Sequence, residues 1–119
     1  MKELLLNPVA CHFAGRLWLQ GPDDRFMGIG RLELLEKIGA LGSISKAAQA
    51  MGMSYKKAWD LVNSMNAQVT TPLVSTQTGG SHGGGAVLTP AGQQVLEAFG
   101  AVQVRFQEFM RQETERLLG

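Results

Sequence analysis

The sequence is short of the residues that most enzyme and metal sites require. Its 119 residues include one cysteine, Cys11, and two histidines, His12 and His82. Adjacent residues of a strand point to opposite faces, so Cys11 and His12 do not make a nucleophile–base pair. The sequence has no C-x-x-C, H-x-x-x-H or carboxylate cluster typical of a metal site. We therefore expect no disulfide, no metal and no cofactor, and we predict that the chain is not an enzyme.

Long hydrophobic runs are also missing. No stretch approaches the roughly 18–20 apolar residues that a membrane helix needs. Residues 1–7 contain neither a long apolar region nor a small-residue cleavage site, so no secretory signal is predicted. With the lone thiol, these absences predict a cytoplasmic protein with no membrane partner. Apolar residues make up 45% of the chain, enough for the core of one domain over residues 1–119.

Charge is scarce in the middle of the chain, and most of it is positive. Nine of the ten acidic residues lie outside residues 37–96. The charged residues of that region, four positive and one negative, are Lys37, Lys46, Lys56, Lys57 and Asp60. A locally basic middle favours a surface that faces phosphates, although a few charges can also be scattered unevenly by chance.

Polarity alternates over residues 9–20, where Val9, Cys11, Phe13, Leu17 and Leu19 share one parity. This pattern predicts one strand, or a tight pair of strands bent at Ala14-Gly15. The cluster Gly21-Pro22-Asp23-Asp24 predicts a turn after it.

Three helices are predicted in the central part of the chain. Apolar residues at spacings of three and four predict the first over about residues 29–41, with Gly42 ending it. Ser43 is an N-cap for a second helix to about residue 51, and Ser54 for a third over about residues 55–69. Two short helices joined by a turn that contains glycine are the signature of a helix-turn-helix.

Two β-prone runs, residues 73–77 and 86–89, flank a glycine-rich loop and predict a hairpin, the wing of a winged helix. A nucleotide-binding loop is disfavoured, since Ala86-Val87 follows the last glycine where a Walker loop has Lys-Ser/Thr. Thr89-Pro90 opens a last helix that could run to residue 118, about 43 Å. A coiled-coil-like seam with spacings of 4, 3, 4 and 3 follows this helix: Val95, Phe99, Val102, Phe106 and Phe109.

Three motifs together resemble the N-terminal DNA-binding domain of the molybdate-responsive regulator (ModE) family: GSISKAA at residues 42–48, SYKKAWD at 54–60 and LTPAG at 88–92. LysR-type regulators share a looser version of the first and third, whereas SYKKAWD and the glycine-rich loop favour the molybdate family. The resemblance covers about residue 13 to the C-terminus. It implies a winged helix that dimerises partly through its last helix and regulates transcription, often of molybdate uptake and molybdoenzyme genes.

Full-length members of that family carry molybdate-binding domains after the DNA-binding domain, and this sequence ends at Gly119. We therefore expect that this chain does not bind molybdate directly. It is either a truncated piece of such a regulator or a stand-alone domain that takes its signal elsewhere.

The third helix carries the predicted DNA-reading face. At 100° per residue, Ala58, Leu61, Val62 and Met65 lie on the core side, and Trp59 is expected to pack. The opposite face is polar, as a helix in the major groove requires, although it can also be an ordinary solvated face. The residues predicted to contact DNA are Ser43, Ser45, Lys46, Ser54, Tyr55, Lys56, Lys57, Asp60, Asn63, Thr76, Thr78, Ser81 and His82.

The sequence thus predicts an α+β, mostly helical winged helix-turn-helix. Residues 1–28 form an N-terminal strand region, 29–89 the helix-turn-helix and wing, and 90–119 a dimerisation helix whose seam is the dimer interface. The predicted function is sequence-specific binding of double-stranded DNA by a homodimeric bacterial transcriptional regulator. Two alternatives stay open. One is a protein-interaction module with weak or no DNA binding, because the wing has no Arg or Lys. The other is a LysR-type regulator without its effector domain.

Overall fold

The computed structural model describes residues 1–77 and 85–119. These residues form two short antiparallel hairpins and four α-helices, in the order β1 (Leu19–Gln20), β2 (Arg25–Met27), α1 (Ile29–Leu41), α2 (Ile44–Ala50), α3 (Tyr55–Ala67), β3 (Val74–Gln77), β4 (Gly85–Leu88) and α4 (Pro90–Leu118). We call β3, β4 and the residues between them the wing.

The core lies between α1, α2, α3 and the base of the wing. The apolar periodicity of α1 places Leu34, Leu35 and Ile38 inside with no exposed surface. Alanines on α2 and α3 let the short helix α2 pack closely against both α1 and α3. Val62 and Met65 of α3 are buried, and burial of each such side chain contributes about 1.5–3 kcal/mol. The hydrophobic core therefore fixes which face of α3 points outward.

Capping residues set the ends of the helices. Ser43, Ser54 and Thr89 each accept a hydrogen bond from the backbone N–H three residues further on, at 3.0–3.1 Å. Each interaction satisfies a donor that the first helical turn leaves free, and losing one typically costs about 0.5–2 kcal/mol. Gly42 ends α1 in the left-handed conformation, with φ 68°, which glycine adopts without steric cost. The predicted caps are confirmed.

Residues 9–18 do not form the predicted strand. Residues 8–10 form a 3-10 turn, and residues 11–18, called the N-terminal segment below, have no strand partner and lie along α4. The N–H of Phe13 donates to the Thr114 hydroxyl at 2.8 Å, and the Gln103 amide donates to the carbonyl of Leu17 at 3.1 Å. Alternating polarity only requires one apolar side, and packing against a helix meets that requirement as well as pairing in a sheet does.

Other boundaries differ from the prediction by one or two residues. The predicted turn closes the β1–β2 hairpin, with the N–H of Gly21 donating to the carbonyl of Asp24 at 2.8 Å. The wing strands pair antiparallel from Val74 opposite Leu88 to Gln77 opposite Gly85. The last helix spans 29 residues, as predicted. Over the described residues, no helix is long and apolar enough to span a bilayer.

Candidate nucleic-acid interface

The polar face of α3 is open to solvent. Lys56, Asp60 and Asn63 are exposed at its centre, and Lys57 is exposed at its edge. Ala58, on the opposite side, has no exposed surface, so α3 cannot rotate without losing its core contacts. The side chains that the sequence predicts for groove contact are therefore presented together on one exposed helix face.

A polar network fixes one flank of α3 against the β1–β2 hairpin. The Ser64 hydroxyl donates to a carboxylate oxygen of Asp24 at 2.5 Å. The guanidinium of Arg31, which is 9% exposed, donates to the Ser64 oxygen at 2.9 Å and to Asp24 at 3.4 Å. The Gln68 amide donates to the carbonyl of Arg25 at 3.0 Å. The buried guanidinium of Arg31 thus has its hydrogen-bond partners, as buried polar groups must.

The same network perturbs the ionisation of Asp24. The hydrogen bond from Ser64, followed by that from the backbone N–H of Arg25, lowers the pKa of this carboxyl below its ordinary value. Arg31 acts in the same direction with a smaller effect. Asp24 is thus held as the carboxylate that Ser64 and Arg31 need as their partner.

The opposite flank of α3 holds the wing. The Asn66 amide oxygen accepts the N–H of Leu73 at 2.8 Å, and its amide nitrogen donates to the carbonyl of Val74 at 3.0 Å. Trp59 is half-buried and packs against the core, as expected, with the ring of Tyr55 edge-on at 6.1 Å. The relation between α3 and the start of β3 is therefore set by side chains of α3 itself.

The exposed face of α3 carries one internal ion pair. The ammonium of Lys56 lies 2.8 Å from a carboxylate oxygen of Asp60, one helical turn away. This contact raises the pKa of Lys56 above its ordinary value. Lys57 has no such partner among the described residues. The two lysines therefore differ, since Lys56 is oriented by Asp60 and Lys57 is free to reach an anion.

The remaining predicted contact residues lie at helix starts, on α2 and around the wing. The Ser43 and Ser54 oxygens accept N–H groups of their own helices, and the side chain of Lys46 is exposed on α2. A cavity of about 240 Å³ beside Trp59 is lined by residues that include Ser43, Ser45, Tyr55 and Thr76. Thr78, Ser81 and His82 lie outside the described residues.

The predicted seam of α4 has two parts. Val95 and Phe99 pack against the core of their own chain, where Phe99 meets Phe26 with ring centroids 6.0 Å apart. Val102 and Phe106 are half-buried, and Phe109 is 57% exposed. The N-terminal segment covers the neighbouring side of α4 and reaches Phe106 through Gly15, so Phe109 is the part of the seam that stays open.

Sequence reasoning missed the network of Asp24, Arg31 and Ser64, and it did not single out two exposed arginines, Arg16 and Arg25. Asp24, Arg31 and Ser64 come together only in the folded chain, so no local sequence pattern predicts their contact. Arg16 carried a weak signal, because it lies on the polar parity of the N-terminal segment. Within the described chain, no three His, Cys, Asp or Glu side chains are grouped so that they could hold a metal ion.

Three helices, with α2 and α3 joined by a turn that contains Gly52, followed by a β-hairpin, define a winged helix-turn-helix. The family described as bacterial regulatory helix-turn-helix protein, lysR family, matches residues 29–93, more than half of the chain. The chain belongs to this family.

The chain is also similar to molybdenum-related proteins, as its motifs indicated. It is 52% identical over 77 residues to the molybdenum-pterin-binding protein MopB of Rhodobacter capsulatus, covering 65% of this chain and 28% of the relative. It is 35% identical over 108 residues to the molybdenum transport protein ModE of Azotobacter vinelandii, covering 91% and 40%. It is 48% identical over 69 residues to the DNA-binding transcriptional dual regulator ModE of Escherichia coli, covering 58% and 26%. The chain thus matches less than half the length of each relative.

Proposed function

We propose that this chain is the DNA-binding part of a bacterial transcriptional regulator, which recognises double-stranded DNA in the cytoplasm through α3. The observation that carries the proposal is the exposed polar face of α3, with Lys56, Asp60 and Asn63 at its centre. An α-helix fits the major groove, where side chains read the edges of the bases. A hairpin on one flank and a wing on the other hold that helix at a fixed angle.

Each side chain suits a different part of the duplex. Asn63 can form two hydrogen bonds with an adenine edge, and a lysine can reach guanine or a phosphate. Tyr55 and Thr76 border the cavity between α3 and the wing, a position suited to the DNA backbone. The free N–H groups at the start of α3 favour an anion in the same region. Contacts to bases would give specificity, and contacts to phosphates would set the register.

We further propose that the protein acts as a homodimer through α4. Phe109 is the open part of the seam, next to the half-buried Val102 and Phe106, and Phe13 and Leu17 of the N-terminal segment add exposed apolar surface beside it. Paired domains would place two α3 helices in successive major grooves about 34–36 Å apart. A near-palindromic DNA site is therefore expected.

The names of the relatives suggest which genes are regulated. Two of them are named for molybdenum-pterin binding and molybdenum transport, and a third as a transcriptional dual regulator. We propose molybdate-related genes as targets.

The test is selection of fragments bound by the protein from the DNA of its source organism, at low and at high salt. The proposal expects enrichment of a near-palindromic site that persists at the higher salt, and the genes beside it test the molybdate link. Recovery of DNA without an enriched sequence would contradict specific recognition. No recovery at low salt would overturn DNA binding altogether.

A protein-interaction module is the second candidate, favoured by the open apolar surface of α4 and by a wing without Arg or Lys. Replacing Lys56 and Lys57 with alanine separates the two functions. If the chain is a DNA regulator, the double variant loses DNA binding and remains a dimer. If it is an interaction module, the double variant keeps its protein partner, and the wild type does not bind DNA either.

A further inference from the structure

A basic cleft lies between the N-terminal segment, the β1–β2 hairpin and α3, with a volume of about 500 Å³. Arg16, Arg25 and Lys57 line it, and all three are exposed. None of them forms an ion pair with an acidic side chain in the described chain, whereas Arg31 and Lys56 both do. Asp24 also lines the cleft, but Ser64 and Arg31 already engage its carboxylate. The cleft therefore offers three free positive charges to an anion.

Two of these charges, Arg25 and Lys57, are tied to α3. The guanidinium of Arg25 lies over the ring of Trp18, 4.2 Å from its centroid, a cation–π contact that restricts its motion. Gln68 of α3 holds the backbone of the same residue through the 3.0 Å hydrogen bond to its carbonyl. Lys57 belongs to α3 itself. Arg25 and Lys57 therefore keep a set position beside the exposed face of α3.

The cleft and the wing lie on opposite flanks of α3. Lys57, Ser64 and Gln68 share the flank that faces the hairpin, and Trp59 and Asn66 the flank that faces the wing. The major groove is about 12 Å wide and is bordered on each side by a phosphate backbone. With α3 in the groove, one backbone runs past the wing and the other runs past the cleft.

We propose that this cleft binds the phosphodiester backbone of duplex DNA on the side of α3 opposite the wing, with Arg16, Arg25 and Lys57 as phosphate ligands. The inference rests on the proposed function and assigns a DNA contact to residues that precede the helix-turn-helix. The N-terminal segment thus joins two surfaces, since it packs on α4 and lines the cleft. Guanidinium groups suit this role because they present several donors to the phosphate oxygens.

The test compares salt dependence of binding for the wild type and for Arg16→Gln/Arg25→Gln. The probe is a random-sequence duplex of about 30 base pairs, titrated between about 50 and 200 mM salt. Each lost phosphate contact lowers the slope of log K against log salt by about 0.9, so the double variant should lower it by about 2. Binding should weaken at least about tenfold, and equally for selected and random sequences.

The matched control is Lys2→Gln/Arg105→Gln, which removes the same charge from exposed positions outside the cleft and should keep the wild-type slope. Arg25→Lys keeps the charge and should keep most of the slope. If the double variant is unfolded by circular dichroism, Arg16→Gln alone should lower the slope by about 1. If folded cleft variants keep the wild-type slope of log K against log salt, the cleft does not bind phosphates, and the proposed function is unaffected. A wild-type protein that binds no duplex would overturn both.

Discussion

Asp60 is the acidic side chain on the exposed face of α3, where its partner Lys56 lies 2.8 Å away. An acid that faces DNA repels phosphates, but it also orients the neighbouring lysine and can accept a hydrogen bond from cytosine. Asp60 is therefore expected to lower the affinity for DNA of any sequence and to raise the preference for the correct sequence.

Asp60→Asn is expected to strengthen binding to random-sequence duplex a few-fold, because one repulsive charge is removed from the interface (on the order of 1 kcal/mol or less). Preference for the selected site should fall at the same time. Fluorescence anisotropy titrations with both duplexes measure the two effects. Glu33→Gln, which removes an exposed acid of α1, is the control. Unchanged random-sequence affinity in Asp60→Asn would mean that this face does not meet DNA.

Asp24 links stability to pH. Its pKa is lower in the folded chain than the ordinary value near 3.9, so its contribution to stability is present above that value. The contribution is lost as the pH falls through the folded pKa. Urea unfolding of the wild type should therefore show falling stability below about pH 4. Asp24→Asn should be less stable at neutral pH and should show a smaller loss on acidification. Parallel pH profiles of the two proteins would contradict the network.

At the scale of secondary-structure elements, most of the fold could be predicted because its signals are local. Ser43, Ser54 and Thr89 were predicted as N-caps of the helices that follow them, and all three cap those helices. The prediction of an N-terminal strand was wrong because this segment packs on α4, about 100 residues away in the sequence. Alternating polarity alone does not show whether the apolar side packs on a sheet or on a helix. Arg31 and Ser64 could not be predicted as partners for the same reason.

Two glycines of α4 give a matched test of its packing. A Cβ added to Gly92 would press on the carbonyl oxygen of Leu73 and lie 2.6 Å from a methyl carbon of Leu88, whereas one added to Gly100 would have no neighbour within 4 Å. Gly92→Ala should therefore lower the free energy of unfolding by about 1–3 kcal/mol. Gly100→Ala should raise it by about 0.5–1 kcal/mol, since alanine favours helix. Urea unfolding measures both, and an equal effect of the two substitutions would contradict the close approach of α4 to the wing.

The whole molecule measures 64 Å along its longest axis and 23 Å along its shortest, because α4 extends beyond the core. Among the described residues, the N-terminal segment and the turn before it lie along one side of the distal part of that helix, and Phe109 stays 57% exposed. A second copy covers Phe109 in the proposed homodimer.

Phe109→Asp should convert the dimer to a monomer, because a charge would be placed in the open part of the seam. Thermal stability of the folded chain should change little, since this side chain is 57% exposed. Val104→Asp is the matched control, because Val104 is 68% exposed and lies on the other side of α4. Light scattering gives the mass of each variant. A dimeric Phe109→Asp protein, or a wild-type monomer at micromolar concentration, would contradict the dimer through this face.

The measurement that tests the central claim most directly is duplex binding by the Lys56→Ala/Lys57→Ala variant beside the wild type. Lys2→Ala/Arg105→Ala is the control with the same change in charge. If α3 reads DNA, the α3 variant loses at least about tenfold in affinity and the control binds like the wild type, while both keep the wild-type circular dichroism. Equal affinity of wild type and α3 variant for the selected site would show that DNA is not bound through this helix.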